Sequence, residues 1–217
     1  MTGKQITDVP HEHYAELYKK SDALEIAART ALDFDNEKGR FTIRVFGMQY
    51  YVNHPVFSVY EASSPEIKGL QGPYEEILLM RYLLEGKFAP ASEKEISYEE
   101  FPSGAVYNLQ FDGRVLGRLA AEFGKDPGLL KTAVESIPGL SFESLGGADA
   151  GYRIEFLNGF FVSVLVWEGD SEFPSSGQML FSENFKYAFS AEDMAVVGDI
   201  VITRLKKAVK ATAMIGE

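Results

Sequence analysis

The stretch Tyr152-Arg153-Ile154-Glu155-Phe156-Leu157-Asn158-Gly159-Phe160-Phe161-Val162-Ser163-Val164-Leu165-Val166-Trp167 decides the fold. Tyr152, Ile154 and Phe156 alternate with Arg153 and Glu155, the period of a strand with one buried face. Asn158-Gly159 between two apolar runs is the strongest hairpin signal in the chain. Phe160 to Trp167 is almost continuously apolar, which predicts a central strand with both faces covered.

Working outward, Phe142 to Leu145 predicts a strand leading into a turn at Gly146-Gly147, and Gln178 to Phe181 predicts another. In Arg40 to Tyr60, Phe41, Ile43 and Val45 alternate with Thr42 and Arg44. Gly47-Met48 then turns the chain, and β-branched and aromatic residues follow, so the segment reads as a meander of short strands. Val106 to Gln110 predicts one more brief strand. Leu17, Leu24, Ala28 and Leu32 recur on one helical face over residues 13–32, with a break near Ser21 and a cap from Ser21-Asp22. Pro73 to Glu85 predicts a helix whose apolar residues nearly surround its axis, hence a buried one. A helical pair follows over Arg114 to Phe123 and Pro127 to Ser136, with Asp126 as N-cap. A final helix starts at Ser190, where Asp193 completes a capping box. Lys206, Lys207 and Lys210 are expected at its far end, complementing the helix dipole. Asp33 to Gly39, Ala62 to Gly72 and the acidic, Ser-rich Gly86 to Gly104 read as loops, the last long enough to be functional or ordered by short elements of its own. The sum is an α+β fold: a mainly antiparallel sheet with helices packed outside. It forms a single compact domain over residues 1–217, with an N-terminal helical segment over 10–32 and a core over 40–210.

Composition narrows the function classes. With 217 residues, 46% of them hydrophobic, the chain is long enough to bury a core without staples. Cysteine is absent, which excludes disulfides, thiolate zinc sites, protein-held iron–sulfur clusters and cysteine nucleophiles. A formal charge of −11 opposes binding to a phosphate backbone, so nucleic acid is not an expected partner. No apolar run reaches signal-peptide length near the start or the ~18–20 residues that span a bilayer, so no membrane is expected and the expected location is cytoplasmic.

Chemistry-bearing residues are few. In Trp167-Glu168-Gly169-Asp170-Ser171-Glu172-Phe173-Pro174 an extended backbone puts Glu168, Asp170 and Glu172 on one face, where three carboxylates suit a divalent cation such as Mg²⁺ or Ca²⁺ or raise one pKa for acid catalysis. The competing reading is a solvated turn. His54, ahead of Pro55, is either a base or a structural hydrogen-bonder, and His11 with His13 makes a weak metal pair. Nucleophile-elbow, phosphate-loop and dinucleotide signatures are missing. Tyr50, Tyr51, Phe57, Tyr60, Tyr107, Phe160, Phe161 and Trp167 come from several predicted strands and are candidates to line an aromatic cavity.

Leu78-Leu79-Met80-Arg81-Tyr82-Leu83-Leu84, the acidic segment from Trp167 to Pro174, Leu180-Phe181-Ser182 and Ala191-Glu192-Asp193-Met194-Ala195-Val196-Val197-Gly198 together resemble domain-of-unknown-function family 3786, found mainly in anaerobic bacteria and archaea. The resemblance runs from Tyr14 to Leu205 and departs at Ser182, where such sequences tend to carry Asp. It implies an accessory role in anaerobic one-carbon or corrinoid-linked metabolism, with any redox partner a separate protein. The leading expectation is a non-enzymatic binding or accessory protein that uses Trp167, Glu168, Asp170, Glu172, Tyr51 and His54 to hold a small flat cofactor of the corrinoid or tetrapyrrole kind, or to dock a basic partner. Its rival is a divalent-metal-assisted hydrolase or lyase that uses the three carboxylates with His54 as base. A third reading is a homodimer joined at the strand edge within Arg40 to Tyr60.

Overall fold

Gly159 takes φ +73°, Leu157 pairs with Phe160 across the turn, and the register slips by one residue between Glu155 and Leu157. The slip leaves the Phe156 carbonyl outside this ladder, where it accepts the N–H of Phe46 at 3.1 Å and ties a second hairpin to the first.

The computed structural model describes residues 8–64, 69–70 and 72–215. The reading of residues 1–7 and part of the loop expected over Ala62 to Gly72 lie outside the described residues. In chain order the strands are Asp33–Asp35 (β1), Arg40–Val45 (β2), Met48–Asn53 (β3), Ser58–Glu61 (β4), Glu95–Ile96 (β5), Phe142–Ser144 (β6), Ala150–Leu157 (β7), Phe160–Trp167 (β8) and Ser176–Ser182 (β9). They form one antiparallel sheet in the order β4-β3-β2-β7-β8-β9-β5, with β1 also on β2 and β6 also on β7. β2 and β7 meet through the aligned pair Val45 and Leu157, while β6 takes the edge of β7 from Tyr152 to Ile154. The sheet is therefore two ladders joined at their hairpin tips. The edge strand β4 has four residues, and the Val59 carbonyl there already accepts the Gly69 N–H at 2.9 Å, so little of it is left for pairing with a second copy.

The helices are Asp8–Lys20 (α1), Ala23–Thr30 (α2), Pro73–Glu85 (α3), Gly104–Phe111 (α4), Gly117–Phe123 (α5), Gly128–Ser136 (α6) and Ala191–Ile215 (α7). The break between α1 and α2 falls where expected: the Asp22 carboxylate accepts the N–H groups of Leu24 and Glu25 at 2.8 and 3.0 Å. At the start of α7, Ser190 and Asp193 cap each other's backbone N–H. Phe41, Ile43, Tyr50, Val52, Ile154, Phe160, Val162, Val164 and Phe181 share one face of the sheet and are all buried. The helices cover this face, with Tyr82 of α3 edge-on to Phe160 at 5.7 Å.

Four expectations need correction. Val106 to Gln110 is helical, not a strand. Its apolar residues match strand propensity, but Gly104 packs on the Tyr98 carbonyl and Phe111 stacks on Tyr98 at 4.0 Å, so tertiary packing overrides the local preference. A π-helical turn, Asp112–Leu116, joins α4 to α5. The loop expected over Asp33 to Gly39 begins as β1, paired with β2. β8 is fully covered on one face only, since Phe161, Leu165 and Trp167 on the other remain half-buried. That face is crossed by the Gly86-to-Gly104 connection, which is ordered by polar contacts: Arg153 donates to the Ser92 carbonyl at 3.3 Å, and Asn184 donates to the Ala89 carbonyl at 3.0 Å. Last, α7 runs on to Ile215, so Lys206, Lys207 and Lys210 lie ahead of its last turn and do not cap its dipole.

Candidate functional site

The six residues expected to bind ligand are not brought together. The acidic segment turns back on itself: the Asp170 Oδ1 accepts the N–H groups of Glu172 and Phe173 at 2.7 and 2.8 Å, and the Asp170 N–H returns to the Phe173 carbonyl at 2.8 Å. Those amide bonds, Phe173 first, hold the Asp170 carboxyl below its ordinary pKa. Glu168 meets Asp149 through its backbone N–H at 2.7 Å, and both Glu168 and Glu172 are exposed. Among the described residues no group of three or more His, Asp or Glu side chains is placed to hold a metal ion. Trp167 donates its indole N–H to the Gly147 carbonyl at 3.0 Å. Tyr51 lies under the Arg40 guanidinium, 3.5 Å from its ring centre, and faces away from buried Tyr50. His54 follows β3 in the other ladder. Its Nε2 donates to the Ser21 carbonyl at 3.1 Å, and its ring is flanked by Tyr18 at 5.1 Å. His11 is bonded to Glu76 at 2.7 Å.

The aromatic set divides in the same way. Tyr50 and Phe160 fill the core, Phe161 lies against Arg153 on the opposite face at 4.3 Å, and Tyr107 sits on α4. They line no common cavity, because neighbours along a strand point to opposite faces.

A different site forms where the two ladders meet the helices. Phe46 and Gly47 turn β2 into β3 with φ of +48° and +75°, both in the left-handed region that such tight hairpins use. A Cβ on Gly47 would run into the backbone of Gly139 and Leu140, and Gly139 itself takes φ +70°. Two glycines back to back thus lock the loop after α6 onto the hairpin tip. The side chains around this lock, Phe46 and Met48 from the hairpin, Ile137 and Pro138 from the loop, form two walls of a cleft of about 580 Å³. α7 supplies the third wall with Arg204 and Lys207, and the small Ala208 and Ala211 keep it open. The volume lies within the ~300–1,000 Å³ typical of small-molecule sites.

Arg204 is largely buried and bidentate to Glu75 of α3, at 3.2 and 2.9 Å. Burial works against its charge, but the hydrogen bonds and field of Glu75 outweigh that and raise its pKa, so the guanidinium stays charged. Lys207 is also engaged within the protein and borders a second, smaller cleft of about 270 Å³ on the adjoining face of α7, beside Tyr74, Asp199 and Thr203. Lys206 turns away to an ion pair with Glu122. The lysines alone fit the helix dipole in sequence; the signal for a site is that Arg204, Lys206, Lys207 and Lys210 fall within seven residues containing no acid, in a chain of net charge −11.

This two-ladder α+β domain, with its cleft at the ladder junction, matches the family described as Domain of unknown function (DUF3786) over residues 22–204. The chain belongs to that family, as the four quoted segments lead one to expect. No curated protein and no solved structure matches it. No helix among the described residues is long and apolar enough to cross a membrane.

Proposed function

We propose that the protein is a non-enzymatic binding module whose cleft holds a small molecule with an apolar body and an anionic head. The observation that carries this reading is the wall chemistry: the cleft is lined mainly by apolar side chains, and both charged residues on it, Arg204 and Lys207, are cations in an acidic protein. An apolar body gains from leaving water against Met48, Ile137 and Pro138. An anionic head gains from charge-assisted hydrogen bonds at the α7 wall. Lys207 has three donor hydrogens and Arg204 five, so their engagement within the protein does not use up their capacity.

The same wall disfavours a divalent cation. It suits an acid-bearing tetrapyrrole or corrinoid-type molecule better, although no histidine is among the described lining residues, so an imidazole axial ligand is not part of the proposal. The cytoplasmic setting, and the accessory role in anaerobic one-carbon or corrinoid-linked metabolism implied by the family resemblance, are kept as part of the same reading.

A pair of fluorescent probes tests it. Anilinonaphthalene sulfonate has an apolar ring system and a sulfonate, and phenylnaphthylamine has the rings alone. Both should bind with one-to-one stoichiometry, the sulfonate on the order of tenfold tighter, the value of one charge-assisted hydrogen bond. Lys207→Gln should remove most of that difference, and Ala208→Phe should block both probes by filling the cleft. Failure of both probes to bind the native protein would overturn the reading.

A further inference from the structure

Helix α4 presents apolar side chains to water. Leu109 is 85% exposed, Val106 74% and Tyr107 46%, and Ala105 beside them is exposed as well. At 3.6 residues per turn, Ala105, Val106, Leu109 and Gly113 fall on one side of the helix, while Gly104 and Phe111 are buried on the other. A surface helix ordinarily turns such a stripe inward. Here the inward direction is already taken by Phe111, stacked on Tyr98, and by Val115 in the π-helical turn, which lies against Gly198 of α7. The stripe is thus held outward by a fixed mount and is not the loose end of a core.

Its shape and its rim say what fits. Leu109 stands between Ala105 and Gly113, and a Cβ at Gly113 would meet no atom within 4 Å. This ridge between two low points is the relief into which the ridges of a second helix pack. The charges around it are mostly acidic. Glu99 and Glu100 stand exposed just ahead of α4 and Asp112 follows its last residue, so acids stand at both ends of the stripe. The one cation of the π-helical turn, Arg114, is already ion-paired with Asp199. A second copy of this chain, docking face to face about a two-fold axis, would set these acids against their own counterparts.

We propose that the exposed face of α4 is the docking site for an amphipathic helix of a partner protein, one whose apolar stripe is flanked by Lys or Arg. Leu109 and Val106 supply the apolar contact, and the acidic rim selects the basic flanks. This surface is independent of the ligand cleft, which is built on the C-terminal half of α7 and the β2–β3 tip.

The test uses two synthetic helical peptides with the same leucine stripe, one flanked by lysines and one by glutamates, titrated into isotope-labelled full-length protein and followed by amide chemical shifts. The lysine peptide should perturb residues 105–113 and the glutamate peptide should not. Leu109→Asp should weaken the lysine peptide on the order of tenfold or more, as expected for a central apolar anchor. Leu109→Gln, milder and at a position already in water, guards against a folding defect and should weaken it in the same direction. Shifts spread over other acidic surfaces, equal binding of both peptides, or undiminished binding by both variants would each overturn the proposal. So would a concentration-dependent dimer in sedimentation that Leu109→Asp abolishes, because the occupant would then be a second copy.

Discussion

Two hairpins of one sheet turn on a glycine of nearly the same backbone conformation, Gly159 at φ +73° and Gly47 at +75°, and they differ in what surrounds that glycine. A Cβ on Gly159 would meet nothing, whereas one on Gly47 would strike Gly139 and Leu140, more than ninety positions along the chain. The first hairpin is fixed by its own residues: a turn dipeptide, two apolar runs and a bulge. The second is fixed by a long-range contact, and its other turn residue is Phe46, a non-glycine residue in the left-handed region at φ +48°. Its ring is buried edge-on to Phe156 at 5.7 Å, and its N–H is bonded to the Phe156 carbonyl, so packing holds it in a conformation it would not choose. The ligand cleft lies at the second hairpin. Backbone held in place by distant partners is where preorganised sites are found, and the difference between the two turns separates scaffold from site.

The largest expected effect comes from substituting the two glycines in parallel. Gly47→Ala should destabilise the protein by roughly 3 kcal/mol or more, because a strained φ is combined with a backbone collision. Gly159→Ala carries the strain alone and should cost about 1 kcal/mol. Urea denaturation of both variants measures the gap, and equal losses would mean that the Gly47–Gly139 lock is not what fixes the second hairpin.

A smaller effect comes from the far edge of the other ladder. Glu183, next to β9, bonds to Lys186 at 2.7 Å and Lys94 at 2.8 Å, and these hydrogen bonds pull its carboxyl from an ordinary 4.5 down to about 2. A depressed carboxylate pKa adds stability that is fully present above the unfolded value near 4.5 and is lost as pH falls toward 2. Glu183 is half-buried, but its lysine partners reach it from the solvent side, so the effect should be slight and should fade with added salt. Melting temperatures of the native protein and Glu183→Gln should therefore differ at pH 6 and converge below pH 3, both as rough set points. A constant difference across that window would show that the ion pairs are not its source.

The same contrast explains what the sequence made legible. The β7–β8 hairpin, the exact bounds of α3, the break before α2 and the Ser190 cap depend on neighbours within a few residues, and periodicity and capping chemistry find them. α4 is not legible locally, because Val106, Tyr107 and Leu109 look like a strand until Tyr98 is packed beneath Phe111. The acidic segment is compatible in sequence with an extended run or a solvated turn, and the turn forms because Asp170 bonds to its own downstream amides, a local competition that the alternation of charges conceals. The cleft was not legible at all. Its walls come from residues 46–48, 136–138 and 204–212, and no local pattern relates three segments that meet only after both ladders and α7 have packed.

The most direct test of the cleft as the ligand site is to titrate anilinonaphthalene sulfonate into protein with labelled methionine and alanine methyl groups. The expected result is saturable shifts at Met48, Ala208 and Ala211 with the methyl groups elsewhere unmoved. Shifts at Ala105 on α4 with the cleft methyls silent would contradict it, because the apolar probe would then have chosen the docking face over the cleft.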